Sequence, residues 1–356
     1  MANIKHKYPW QEKISNHSQI GGIETSVLDN GTGRGVRIAW VNTGTPLRYK
    51  LVIDRGLDIA DAFYAQHSLA WLSHTGVTSA QPCSDRGVEW LYSFGGGLLT
   101  TCGLSHIGGP EQDENGTRGL HGRYSNIVAE VESIVQPDPA NGKLDMEITA
   151  SVVESKVFGP SLKLRRRISG RLGEPKILIS DTVTNIGNSS VPHMLLYHIN
   201  FGWPLVDDNV DIVYRGTCKS FGREMDDELF NDNHDYRKCQ KPLDSHKAGC
   251  ESCGFIDVEA DDGICTAGIV NRRLSLAAIM RFHKLQLPCL TNWQHWGPCE
   301  YVCALEPGTN FPIGQKRARQ QNELIMLEPG RSRSYDLELK VLSASADIEE
   351  FIAKWG

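Results

Sequence analysis

The chain has 356 residues, 40% of them hydrophobic, and a formal net charge of -6. That is enough apolar material for a large core, and all-β chains of this length can form one domain. The acidic balance, with no basic cluster beyond Arg165-Arg166-Arg167, excludes the extended cationic face that a nucleic-acid partner requires. That triplet sits in an apparent strand and reads as a solvated face.

The opening Met1–Trp10 lacks the continuous apolar segment of a signal peptide, and no run approaches membrane-spanning length, so a cytoplasmic protein without a membrane partner is expected. Ten cysteines in such a chain are expected reduced rather than paired into a disulfide framework. Gly95-Gly96-Gly97 and Gly108-Gly109-Pro110 read as loops that permit close backbone approach. The first is no phosphate-binding fingerprint, because no helix or matching spacing follows it.

Two apolar-rich segments, Ile127–Val135 and Leu144–Val152, flank Asn141-Gly142, a dipeptide suited to a tight hairpin turn. Within the second, Leu144, Met146, Ile148 and Ala150 alternate with Asp145, Glu147 and Thr149, which puts one set against a core. Asn185-Ile186-Gly187-Asn188 punctuates a further pair, Ile177–Thr184 and Val191–Tyr197. From about 218 to 265 the composition turns to Asp, Asn, His and Lys with little alternation, which predicts an insertion or long loop. Alternation returns at Tyr335, Leu337, Leu339 and Val341. The chain then closes on helical spacing at Ile348, Phe351, Ile352 and Trp355, with Asp347 and Glu350 as a prospective capping box. The pattern predicts an antiparallel sheet protein with one short terminal helix, and its length fits one large domain or two.

Three phrases carry candidate chemistry. They are His121 in Gly119-Leu120-His121-Gly122-Arg123, His198 in Leu195-Leu196-Tyr197-His198-Ile199-Asn200-Phe201, and Glu306 in Ala304-Leu305-Glu306-Pro307-Gly308-Thr309-Asn310-Phe311-Pro312. A carboxylate can take a proton from an anomeric hydroxyl while an imidazolium gives one to the ring oxygen, which opens a sugar ring; a second imidazole or a guanidinium steadies the charge. No Gly-x-Ser-x-Gly elbow or locally activated cysteine offers a competing nucleophile.

The three phrases resemble the aldose 1-epimerase (galactose mutarotase-like) superfamily, closest to its divergent bacterial branch, over roughly Gly33 to Leu342. The resemblance implies an all-β, antiparallel β-sandwich of the supersandwich type with few short helices, a single domain over 1–356, and a metal-independent site, with Glu306 as general base, His198 as general acid and His121 as electrostatic helper. A small-molecule carbohydrate is the implied partner, and no organic cofactor is expected, since no nucleotide or flavin motif is present. Familiar mutarotases carry an arginine in a Gly-Arg-x-x-Asn phrase shortly before the first histidine, where this chain has Thr100-Thr101-Cys102-Gly103-Leu104. Arg55, in Asp54-Arg55-Gly56-Leu57-Asp58-Ile59, is the preferred source of the missing cation, and Arg123 the second.

Around these, Trp293, Gln294, His295 and Trp296 are expected to form a binding wall by stacking on sugar faces and bonding hydroxyls, with Trp293 and Trp296 readable equally as core anchors. Asn200 and Trp203 add to it, and His106 and Gln112 are weaker candidates. His193 and His283 read as packed histidines. Two competing readings remain: a carbohydrate-binding protein without chemistry, and an isomerase or lyase using the same pocket. A zinc site from Cys250 and Cys253 with His234, Cys239 and His246 lacks a second regular ligand pair, and a divalent ion held by His106, His121, His198 and Glu306 is a minority alternative. No metal ligand is therefore assigned, and no motif sets the oligomeric state.

Overall fold

The computed structural model describes residues 13–83, 85–231 and 236–356. The Met1–Trp10 segment and His234 lie outside the described residues. Every strand ladder is antiparallel. Among the described residues the strands form sheets of five, nine and seven, plus a two-stranded ribbon.

The nine-stranded sheet is centred on Lys176–Asn185 and Ser332–Leu342, flanked on one side by Ser161–Arg171, Asp145–Ser155 and Glu130–Val135. The seven-stranded sheet runs Gly216–Ser220, Ser252–Val258, Cys289–Gly297, Glu300–Gly308 and Val191–Gly202; the last also pairs with Thr100–Leu104 and Ile325–Leu327. Period-two alternation drives the packing of these two sheets. Leu195, Tyr197, Ile199, Phe201, Cys303 and Leu305 of one join Ile177, Ile179, Leu337 and Leu339 of the other in one buried cluster. Burying each such aliphatic or aromatic side chain contributes about 1.5–3 kcal/mol. The expected core sets Leu144–Ala150 and Tyr335–Val341 both point inward.

Polar pins cross the same core. Tyr197 donates to Asp181 at 2.8 Å, and His193 bonds the Leu104 carbonyl at 2.8 Å and the Tyr335 hydroxyl at 2.7 Å. Arg166 is fully buried, and here the structure corrects the reading of the arginine triplet as a solvated face. Its neighbours Arg165 and Arg167 are solvated, but strand alternation turns Arg166 inward, where it bonds Asp181 at 2.7 Å and Asp58 at 2.7 Å. Asp58 in turn accepts from the Thr101 amide and hydroxyl, which ties the turn at Asp54–Asp58 to the strand beside His198.

Other expectations resolve differently from their sequence signals. The Asn185–Asn188 turn joins strands of two different sheets, because Asn185 bonds the Ser189 and Leu327 carbonyls and sends the chain across. The described residues of the stretch 218–265 begin in the Gly216–Ser220 strand, hold a short helix, Glu224–Leu229, and the Ser252–Val258 strand, whose Cys253, Ile256 and Val258 are buried, and run on into the Ile264–Asn271 strand. The terminal helix Ser345–Trp355 starts at Ala344 without a side-chain cap, so Asp347 and Glu350 form no capping box. Its Ile348, Phe351 and Trp355 pack on Val213, Val270, Ala277, Ile279 and Leu342. Among the described residues, no helix is long and apolar enough to cross a membrane.

Candidate functional site

Register places the site. The strands Val191–Gly202 and Glu300–Gly308 pair Leu196 with Gly308 and Ile199 with Leu305, so His198 stands opposite Glu306. On the next strand Thr291 pairs with Glu306 and Trp293 with Ala304; on the other side Thr100 pairs with His198. Since alternate residues share a face, Thr100, His198, Asn200, Glu306, Thr291 and Trp293 all lie on the face opposite the inter-sheet core.

His198 Nε2 and Glu306 Oε1 are 3.2 Å apart, with only 5% and 2% of each residue exposed. The contact is close but not aligned as a hydrogen bond, and Oε1 has no hydrogen-bond partner. Burial pushes the His198 imidazole down to about 4, with the neighbouring Asn200 side chain working in the opposite direction. Burial also lifts the Glu306 carboxyl well above its ordinary range, reinforced by the negative charge of Glu251 and by Cys303. Burial thus works against the charged form of both groups, the imidazolium of His198 and the carboxylate of Glu306, and sets two groups able to carry a proton side by side.

His121 completes the polar centre from a loop. Its amide donates to the Gly108 carbonyl at 2.9 Å, its carbonyl accepts from the Gly103 amide at 3.0 Å, and its φ is +57°. Its ring sits edge-on to His198, centroids 5.9 Å apart. Burial first, then His198 and His106, hold its pKa well below the ordinary histidine value.

Aromatic rings enclose these groups. Phe94 lies 5.3 Å and Trp293 5.2 Å from the His198 ring, Trp90 stacks on Phe94 at 4.2 Å, and Trp71 touches both Phe94 and Trp293. The short turn Glu89–Ser93 presents Trp90, and the glycine turn after it brings the chain back to the sheet. At Gly97, φ is +93° and a Cβ would stand 2.7 Å from the Ile59 carbonyl oxygen, so only glycine fits. The Gly97 carbonyl accepts from Asn200 at 3.0 Å. Trp293 donates its Nε1–H to Glu251 at 2.6 Å, and Arg223 bonds the other Glu251 oxygen at 3.2 Å.

The structure brings His121, His198, Glu306 and Asn200 together, and it places the other expected residues elsewhere. Arg55 spends Nε, Nη1 and Nη2 on protein oxygens of Ser125, Thr78 and Ser93, and lines a cavity with Lys50, Asp61 and Thr100. Arg123 bonds the Pro82 carbonyl and faces a different cavity that also holds Glu154 and Arg319. Trp203 is 68% exposed.

Gln294 and Trp296 do not form the expected wall. Alternation turns both into the inter-sheet core, where Trp296 donates to Gln294 at 3.0 Å, and the wall position falls to Trp293. His106 is buried against the Gly109 carbonyl and Gln112 is on the exposed ribbon, while His193 is packed and His283 is exposed. Among the described residues no group of three or more His, Cys, Asp or Glu is placed to hold a metal ion, and the ten cysteines are all free.

Trp71, Trp90, Phe94, Glu251 and Thr291 were not singled out from the sequence. Trp90 and Phe94 carry a weak signal in their four-residue spacing. Glu251 was hidden between Cys250 and Cys253, and Thr291 is recognisable only through its register with Glu306.

A family model described as "Domain of unknown function (DUF4432)" matches residues 33–341. No curated protein matches the sequence. Among solved structures, the chain is similar to a protein provisionally named an aldose 1-epimerase from Klebsiella pneumoniae subsp. pneumoniae MGH 78578. That likeness has a TM-score of 0.85 and 23% identity, and covers 97% of this chain and 92% of that one. It is also similar to a galactose mutarotase-like protein from Clostridium acetobutylicum, with TM-score 0.58, 12% identity and coverage of 92% and 100%. A galactose 1-epimerase from Lactobacillus acidophilus NCFM matches with TM-score 0.55, 11% identity and coverage of 90% and 99%. These likenesses give the fold: a galactose mutarotase-like antiparallel β-sandwich.

Proposed function

The chain belongs to the DUF4432 family, and from its site we propose that it is an isomerase that interconverts the anomers of a free sugar or sugar derivative by proton transfer. The observation that carries this reading is the His198–Glu306 pair at 3.2 Å, buried together and enclosed by aromatic rings. One group of the pair takes the anomeric hydroxyl proton while the other gives a proton to the ring oxygen. The C1–O5 bond breaks, an open-chain aldehyde forms, and reclosure after rotation about C1–C2 gives the other anomer.

With the shared proton on His198, Glu306 is the base and His198 the acid; with it on Glu306, the roles exchange. Burial alone favours the second arrangement, and sugar hydroxyls that solvate the carboxylate favour the first. His121, kept neutral, supplies a hydrogen bond to the ring or its charge. Trp293 and Asn200 support the sugar, the ring by its apolar face and the amide by hydrogen bonding.

Exchange spectroscopy on freshly dissolved aldoses, uronates and deoxy-sugars tests the reading. Accelerated anomer exchange that disappears in Glu306→Gln supports it. A panel of sugars that bind without acceleration favours a carbohydrate-binding protein instead. One observation favours that second reading: the Arg55 guanidinium is already committed to protein oxygens and is not presented to the pair.

A further inference from the structure

Thr291 is 1% exposed, and its hydroxyl oxygen has no hydrogen-bond partner. A buried hydroxyl left unpaired costs about 1–3 kcal/mol, so a second state in which it is paired is physically favoured. The strand register sets Thr291 directly across from Glu306, on the same face, and Glu306 Oε1 is likewise buried and unpartnered. Directly opposed residues in an antiparallel pair hold their Cβ atoms about 4.5–5.5 Å apart, which lets a threonine hydroxyl reach a carboxylate after a χ1 rotation. Among the described residues no other strand brings a partnerless hydroxyl to Glu306: its second cross-strand neighbour is His198, and Thr100, on the far side of His198, spends its hydroxyl on the Gly96 carbonyl at 2.6 Å.

We propose that Thr291 is a positioning residue for proton transfer, its hydroxyl donating to the Glu306 carboxylate in the state in which Glu306 has given up its proton. The inference rests on the proposed acid–base reading of the site. It adds that the carboxylate, otherwise left in an aromatic enclosure beside the negative charge of Glu251, has a donor of its own. A hydrogen bond made to the charged form of an acid favours that form. Thr291 therefore makes the proton on Glu306 easier to release, without itself touching the reacting atoms.

The test compares Thr291→Val, which keeps the shape and removes the donor, with Thr291→Ser, which keeps the donor. Difference infrared spectroscopy reads the Glu306 carboxyl band against pH, with Glu306→Gln identifying the band and near-ultraviolet circular dichroism confirming folding. The valine variant is expected to hold the proton to a pH about one unit higher, and the serine variant to titrate like wild type. On a sugar whose anomers the wild type exchanges, the valine variant loses about tenfold in kcat with little change in KM, and serine restores it. Unchanged Glu306 titration in the valine variant overturns the proposal, as does a serine variant that shifts equally with it. The infrared reading decides this even where no sugar on the panel is turned over, so failure of the isomerase reading and failure of the Thr291 assignment are separate results.

Discussion

Replacing Arg166 by methionine should cost far more stability than the same change at either neighbour. The Arg166 side chain is 1% exposed, and its Nη1 and Nη2 reach Asp58 and Asp181 at 2.7 Å each, with Nη2 also 2.9 Å from the Thr101 hydroxyl. Methionine fills much of the volume but leaves two carboxylates facing each other in the core. Removing one member of a buried ion network in this way costs about 3–5 kcal/mol. Arg165 and Arg167 are roughly half exposed and pair with Glu132 and Glu147, an arrangement that contributes about 0–1 kcal/mol each. Urea unfolding of the three single variants at neutral pH measures the difference. A combined Arg166→Met, Asp181→Leu variant is expected to lose less than the sum of its single changes, because it removes one of the stranded charges. An Arg166→Met loss within about 1 kcal/mol of the Arg165→Met loss would refute the reasoning and mean that the triad is solvated after all.

Other outcomes follow from the site and its supports. Glu251→Gln keeps an acceptor for the Trp293 indole but removes the charge that opposes ionisation of Glu306, so the Glu306 carboxyl band should titrate at lower pH; an unchanged midpoint counts against electrostatic contact. Trp293→Ala should weaken sugar binding measured by calorimetry. Gln294→Leu should instead lower stability by about 1–3 kcal/mol and leave affinity alone, since its partners are in the core; the reverse pattern would restore Gln294 to the wall.

Burial holds His193 at about 4, below the value near 6.5 of an unfolded chain. Protons therefore bind the unfolded state first as pH falls. The stability from the neutral, doubly bonded ring is fully present above about pH 6.5 and is lost between there and about pH 4, up to ~3 kcal/mol. Unfolding measurements on wild type and His193→Gln should show their gap narrowing across that window, and a constant gap would contradict the assignment.

Much of the fold was legible because it rests on period-two alternation, as in Leu144–Ala150 and Tyr335–Val341, where a local pattern dictates which side chains are buried. The catalytic candidates were legible because His198 and Glu306 stand in distinctive phrases, and register across two strands brings the two phrases together. What stayed hidden depends on non-local register or on which face of a strand is the core. Trp293 and Trp296 look equivalent in sequence, yet one encloses the site and the other fills the sandwich, because a strand turns successive residues to opposite faces. Arg166 looked like its neighbours for the same reason. Arg55 was well placed in its phrase, and only the carbonyls of Ser125 and Ser93, distant in sequence, reveal that its donors are taken.

The most direct test of the His198–Glu306 account is a double-variant cycle on anomer exchange, read by polarimetry with a sugar that the wild type accelerates. If the two groups pass one proton as a unit, His198→Asn and Glu306→Gln each abolish most of the acceleration, and the double variant is no slower than either. Losses that add, or a Glu306→Gln variant that turns over at the wild-type rate, would contradict it.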